Sequence, residues 1–389
     1  MSIVLIITAL CLLLIILVFL LPEAVRSLTP VLVDRFFLGR LSDERQWGEK
    51  VLAICLKWAR RMPTVRKDDV ASLWIVDLFR NQKKDSIQVW QSASLYMALK
   101  ESDASGSDES VRRAIETMES DCFDKYSKTA VRDSEYGMLA YAMYDKKEFD
   151  ALKQSVLQYT EEYRSAQGMI FYKAKGGATA YVDTLGFICP FLVRHGIAVN
   201  DDSYIVLAKK QIELYLQYGT EQNCGLPFHA FGAQTHIHRG ICDWARGLAW
   251  LLIGLMDSYL CLASAGRTDS FFEEQILRYA QLLLKYQHKN GGFSWQLLSG
   301  GITDSSAAAV FGWFLACCRK ISFDPVYSEA AKKCRAFLMK QTRSNGVVDF
   351  CQGDTIGIGC YSRSFGKMPF AQAFALRMQN ELENNHNTI

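Results

Sequence analysis

The sequence predicts an all-α fold: an (α/α)6 toroid, or six-hairpin barrel, preceded by one N-terminal transmembrane helix. Three observations predict it. The chain opens on an uncharged apolar run, it then alternates amphipathic with almost wholly apolar helical segments, and a glycine loop recurs between them.

The apolar run IVLIITALCLLLIILVFLL, from Ile3 to Leu21, carries no charge, and about 20 such residues at a rise of about 1.5 Å span a bilayer core. A cleaved signal peptide is the competing reading. No Lys or Arg precedes the run, it is long for a signal core, and Pro22, Glu23 and Ala24 form a poor cleavage site. Residues 1–25 are therefore expected to be an anchor, 26–43 a linker and 44–389 the folded domain. Arg26, Arg35, Arg40 and Arg45 follow the run, which favours a single-pass protein with its domain on the cytoplasmic side. Twelve cysteines without a disulfide spacing, Cys317 and Cys318 being adjacent, lean the same way. The periplasmic side is the alternative.

The segments around Glu44 to Arg61, Glu109 to Asp121, Glu148 to Tyr163, Ser203 to Tyr218, Ser270 to Tyr286 and Tyr327 to Gln341 are amphipathic and charged, so they read as outer helices. Ile87 to Leu99, Glu135 to Tyr144, Thr184 to Arg194, Ala245 to Leu262, Ser305 to Arg319 and Met368 to Leu382 are apolar on most sides and must be buried. Outer and inner partners are joined by SAQGMIFYK, QNCGLPFHAF, HKNGGFSWQL and SNGVVDFCQ, whose Gly168, Gly225, Gly292 and Gly346 mark a repeated unit.

Asp85, Asp133, Asp183, Asp243 and Asp304, with Ser362 or Ser364 in the last unit, introduce the inner helices. All such loops lie at one end of a toroid, so these residues are expected to ring one mouth. Asp at a helix start is a favoured N-cap; several converging on one mouth also offer carboxylates to a ligand.

The stretch NCGLPFHAFGAQTHIHRGICDWARGLAW is the densest in chemistry. His229, His236 and His238 with Cys224 and Cys242 match no common zinc spacing and read as loop histidines beside thiols, so zinc is not expected. Trp244, Arg246 and Trp250 open an apolar helix, placing aromatic faces and a guanidinium toward one lumen. An Arg buried there needs an anion, from a neighbouring Asp or from a ligand. In YVDTLGFICPFL, Asp183 is either a cap or a carboxyl group among Phe187 and Ile188, where desolvation would raise its pKa toward that of a general acid. Net charge is +3, with 44 basic and 41 acidic side chains and no basic run, so nothing suggests nucleic acid.

The ordered series YVDTLGFICPFL, LPFHAF, DWARGLAW and TDSSAAAVFGWFL resembles the unsaturated glycuronyl hydrolases of glycoside hydrolase families 88 and 105, over roughly residues 45 to 382. The resemblance implies a cofactor-free enzyme that hydrates the C4 to C5 double bond of an unsaturated uronic acid in an acidic oligosaccharide. It places the general acid/base on Asp183 and the second carboxylate on Asp85, in DSIQVWQSASLY. It places substrate binding on His229, Trp244, Arg246 and Trp250, to which the aromatic Trp90 and Trp295 are added. Leu248, Ala249 and Phe187 depart from the family pattern, as does the anchor. A non-catalytic glycan-binding or assembly protein of an envelope polysaccharide pathway is therefore the second reading. An isoprenoid-handling toroid is a third, without a DDxxD or zinc set to support it. Oligomeric state is not legible.

Overall fold

The computed structural model describes residues 3–21, 35–63, 65–66, 85–86, 88–103, 108–126, 129–175, 177–355 and 357–383. Helix α1 (Ile3–Ile15) continues through a π-helical stretch at Ile16–Leu20. Its described side chains are exposed. The first half of the linker expected at 26–43, namely 26–34, lies outside the described residues.

The remaining helices alternate as anticipated. Even-numbered α2 (Glu44–Arg60), α4 (Glu109–Tyr126), α6 (Asp150–Glu162), α8 (Asp202–Tyr218), α10 (Ser270–Tyr286) and α12 (Pro325–Lys340) bury one stripe each. Odd-numbered α3 (Val89–Ser102), α5 (Glu135–Ala142), α7 (Asp183–Val199), α9 (Ala245–Ser264), α11 (Ser305–Cys317) and α13 (Pro369–Glu383) are buried on most sides. Contacts run α3 to α5, α7, α9, α11, α13 and back to α3, so the inner helices close a ring. That order is consistent with an (α/α)6 toroid. Helix α9 is long and apolar enough to cross a membrane, but its place in the ring buries it.

Small residues set how closely the ring closes. A Cβ on Gly186 of α7 would lie 2.8 Å from the Trp250 carbonyl oxygen, and one on Gly254 of α9 would lie 2.7 Å from that of Leu185. Both glycines therefore let α7 and α9 touch backbone to backbone. At the far end of the ring, Arg377 of α13 lies across the Trp313 ring at 4.1 Å and pairs with Asp257 of α9 at 2.6 Å and Glu101 of α3 at 2.7 Å. Three inner helices are thus tied by one guanidinium.

The recurrent loop is a tight hairpin after an outer helix. Gly168, Gly225 and Gly346 take positive φ of 97°, 73° and 96°, a conformation that costs a Cβ dearly. In the loop after α10 the residue is Gly291 (φ 89°), not the expected Gly292, whose missing Cβ instead makes room for the Phe337 ring.

The two roles the sequence left open for the aspartates at the inner-helix starts, capping and facing the mouth, fall to different residues. Asp304 is a true cap: it is fully buried and accepts from Ser306 N at 2.9 Å and from Gln352 N at 2.9 Å. Asp243 instead accepts from Leu298 N and Ser299 N, fixing the turn between the strands Ser294–Gln296 and Gly300–Thr303. The Asp85 backbone pairs with Arg66 between β1 (Val65–Arg66) and β2 (Asp85–Ser86), while its side chain lies outside the described residues. Asp133 and Asp183 open into the cleft described next.

Candidate active site

The starts of the inner helices surround a cleft of about 450 Å³. Trp90 of α3 and Trp250 of α9 form its apolar floor, edge to face at 5.3 Å, with Phe187 of α7 4.6 Å from Trp250. Above them stand Asp133, Glu135, Lys173, Asp183, His229, Trp244, Arg246 and Asp354. The helix dipoles of the surrounding N-termini add positive potential where these carboxyls sit.

Asp183 occupies the first position of α7 and caps nothing. Its Oδ2 is buried without a hydrogen-bond partner among the described residues. Burial pushes its pKa up to about 7, partly countered by its own backbone N–H and by Arg246. The nearest ring is that of His229, whose Nε2 lies 3.7 Å from Oδ2. Burial, together with the Arg246 charge, lowers the His229 pKa to about 4, so the imidazole is neutral near pH 7. On its other side the ring meets Tyr361, whose hydroxyl accepts from Ile241 N at 3.0 Å and is hydrogen-bonded to His229 Nδ1 at 3.1 Å. With Tyr361 donating to Nδ1, the proton of the neutral ring would sit on Nε2, the nitrogen that faces Asp183.

Arg246 is 2% exposed, yet no carboxylate lies within ion-pair distance of it among the described residues. It donates to the carbonyl of Gln352, to that of Gly353 at 2.6 Å and to Thr355 Oγ1 at 3.4 Å. Trp244 stacks under it at 5.4 Å and donates from Nε1 to Gln352 Oε1 at 2.8 Å. Neutral acceptors fix the guanidinium without cancelling its charge, which leaves a buried cation facing the cleft.

On the opposite wall Glu135 accepts from the Tyr172 hydroxyl, and burial followed by Asp133 raises its pKa to about 7. Asp133 is raised by burial as well. The chain thus places two carboxyl groups that hold protons near neutrality in one cleft with an unneutralised arginine.

The Glycosyl Hydrolase Family 88 profile matches residues 71–384. The chain belongs to glycoside hydrolase family 88. It is a glycoside hydrolase, and its family 88 fold recurs in solved structures. One is a possible member of the GH105 family from Salmonella enterica serovar Paratyphi A, with TM-score 0.72, 18% identity, and coverage of 88% of this chain and 94% of that one. Another is the unsaturated glucuronyl hydrolase responsible for degradation of glycosaminoglycan from Bacillus sp. GL1, with TM-score 0.63, 17% identity, and coverage of 88% and 97%. A third, an unsaturated glucuronyl hydrolase specific for heparin, has TM-score 0.65, 13% identity, and coverage of 89% and 99%. At such identities the likeness is one of fold. No curated protein matches the sequence.

Within the family 88 chain, Asp183, His229, Trp244, Arg246, Trp250 and Trp90 share the cleft. Trp295 does not line it; it is half-buried and lies 6.0 Å from Tyr361. The other histidines disperse: His236 stacks on Tyr218 at 3.8 Å and His238 on Phe228 at 4.0 Å. Glu135, Lys173, Asp354 and Tyr361 were not singled out by the sequence. The acidic pair Asp133 and Glu135 at the start of α5 was the available signal; Asp354 and Tyr361 sit in an irregular loop that gave none.

Proposed function

We propose that the chain is a membrane-anchored hydrolase of unsaturated glycuronides, adding water across the C4–C5 double bond of an unsaturated uronic acid that ends an acidic oligosaccharide. The observation that supports this reading is the pairing of Asp183, a carboxyl group that keeps its proton to about pH 7, with Arg246, a buried cation that lacks a carboxylate. The uronate carboxylate supplies the missing anion and fixes the sugar over Trp90 and Trp250. Asp183 then delivers its proton to C4, leaving positive charge shared by C5 and the ring oxygen. The Asp183 carboxylate next takes a proton from water as that water bonds to C5. The resulting hemiketal opens, and the hemiacetal left at C1 collapses to release the next sugar. Neutral His229 stands with Nε2 3.7 Å from Asp183 Oδ2, where a proton on that nitrogen would steady the carboxylate formed in the first step. Asp133, Glu135 and Asp354 line the same cleft and are the described carboxyl groups available for a second role in guiding water; Asp85 keeps the place the family resemblance gave it.

The exposed apolar helix α1 supports the anchor, and the arginines that follow support a cytoplasmic domain. The test is loss of the ultraviolet absorbance of unsaturated uronate disaccharides. Wild type should bleach it, and Asp183→Asn should be slower by roughly 10³-fold or more. Glycan binding without turnover by wild type would replace this reading with that of a binding protein.

A further inference from the structure

Arg35 lies only fourteen positions beyond Leu21, the last described residue of the apolar helix, and it is bolted to the rim of the cleft. Its guanidinium donates from Nε and Nη2 to the two oxygens of buried Asp349 at 3.0 and 2.9 Å, donates to the Phe365 carbonyl, and lies over the Phe350 ring at 4.3 Å. Gly39 N donates to the Thr342 carbonyl at 3.0 Å. These partners all belong to the connection from α12 to α13, at the cleft end of the ring. Between Arg35 and Gly39, Phe36 is 70% and Phe37 42% exposed, with Arg40 over the Phe37 ring at 4.3 Å. Aromatic rings beside arginines suit the headgroup region of a bilayer.

Charge differs between the two ends as well. Arg164, Lys173, Lys175, Arg239, Lys289 and Lys367 are exposed on the cleft-end loops. The far end carries the exposed helix caps Asp108, Asp201 and Asp324. Phe323 is exposed at the far end too; what decides between the ends is the strap through Arg35.

We infer that the toroid sits with its cleft end toward the bilayer, the strap Arg35–Arg40 seating its two phenylalanines in the headgroup layer and the basic loops facing anionic lipid, so that the glycan attacked is one held at the membrane surface. This rests on reading Ile3–Leu21 as an anchor. Residues 22–34 reach at most about 45 Å when fully extended, which sets an upper limit on how far the rim can stand from the surface.

The test uses the full chain in vesicles of phosphatidylcholine with about a third phosphatidylglycerol and a trace of lipid bearing a photoreactive headgroup. Adducts are mapped by mass spectrometry. The expected result is labelling at residues 35–40 and in the loops 164–175, 235–241 and 361–367. Phe36→Ser with Phe37→Ser, both on the surface, should lower that yield several-fold while leaving the protein membrane-bound. Labelling in 200–203 and 322–325, or labelling of the apolar helix alone, overturns the orientation. So does cleft-loop labelling that a soluble acidic glycan abolishes, because the basic loops then serve substrate. Release of the protein by alkaline carbonate would instead remove the anchor itself.

Discussion

His229 presents Nε2 to Asp183 Oδ2 across 3.7 Å, and Tyr361, from a loop more than a hundred residues away, holds its Nδ1 at 3.1 Å. This relay makes Asp183 the group on which the pH behaviour of the site turns.

Turnover should require the protonated form of Asp183. Because burial raises its pKa to about 7, kcat/KM is expected to be flat through mildly acidic pH and to fall tenfold per pH unit above about 7. A descending limb near pH 4, the ordinary carboxylate value, would remove Asp183 from the acid role.

The same shift has a cost in stability. The folded pKa of Asp183 lies above the unfolded value, so the folded state holds the extra proton between about pH 4 and pH 7, and stability falls as pH rises through that window. Asp183→Asn is expected to be nearly neutral at pH 4 and to stabilise the protein by on the order of 1 to 3 kcal/mol at pH 8, as read from urea midpoints at the two pH values.

Arg246→Lys should keep the charge and lose the geometry. One ammonium cannot hold both the Gln352 and Gly353 carbonyls and still face a carboxylate. The expected outcome is a rise in KM for unsaturated uronates of roughly 10- to 100-fold, with a smaller loss in kcat, measured by steady-state kinetics.

At the other end of the barrel, Arg377 and Asp257 are each 1% exposed. Arg377→Met leaves the Asp257 charge buried without its partner and should destabilise by about 3 to 5 kcal/mol. Adding Asp257→Leu should recover a substantial part of that loss, and a double-mutant cycle by chemical denaturation checks the coupling.

Much of the fold was legible because burial leaves a periodic trace. An inner helix walled on every side must be apolar throughout, as in SSAAAVFGWFLAC, and an outer helix cannot be. The Asp183 and Arg246 segments were legible for a related reason, since a charged residue opening an apolar helix conflicts with its surroundings. Two details escaped that logic. Gly291 rather than Gly292 takes the left-handed turn, because adjacent glycines look alike in sequence and only the packing of Phe337 separates them. Trp295 looked equivalent to Trp90, yet it lies beside Tyr361 and off the cleft lining.

The amino-acid order thus determined the alternation of helices, the ring they imply and the carboxyl group to suspect, because local periodicity and desolvation act within one segment. The tertiary structure decided what that carboxyl group meets. Tyr361 behind His229, the carbonyls of Gln352 and Gly353 around Arg246, Glu135 on the facing wall and Arg35 on the rim reach the cleft from distant parts of the chain. Those partners come together only when the ring closes, and they set the proton, the charge and the orientation on which the proposed chemistry depends.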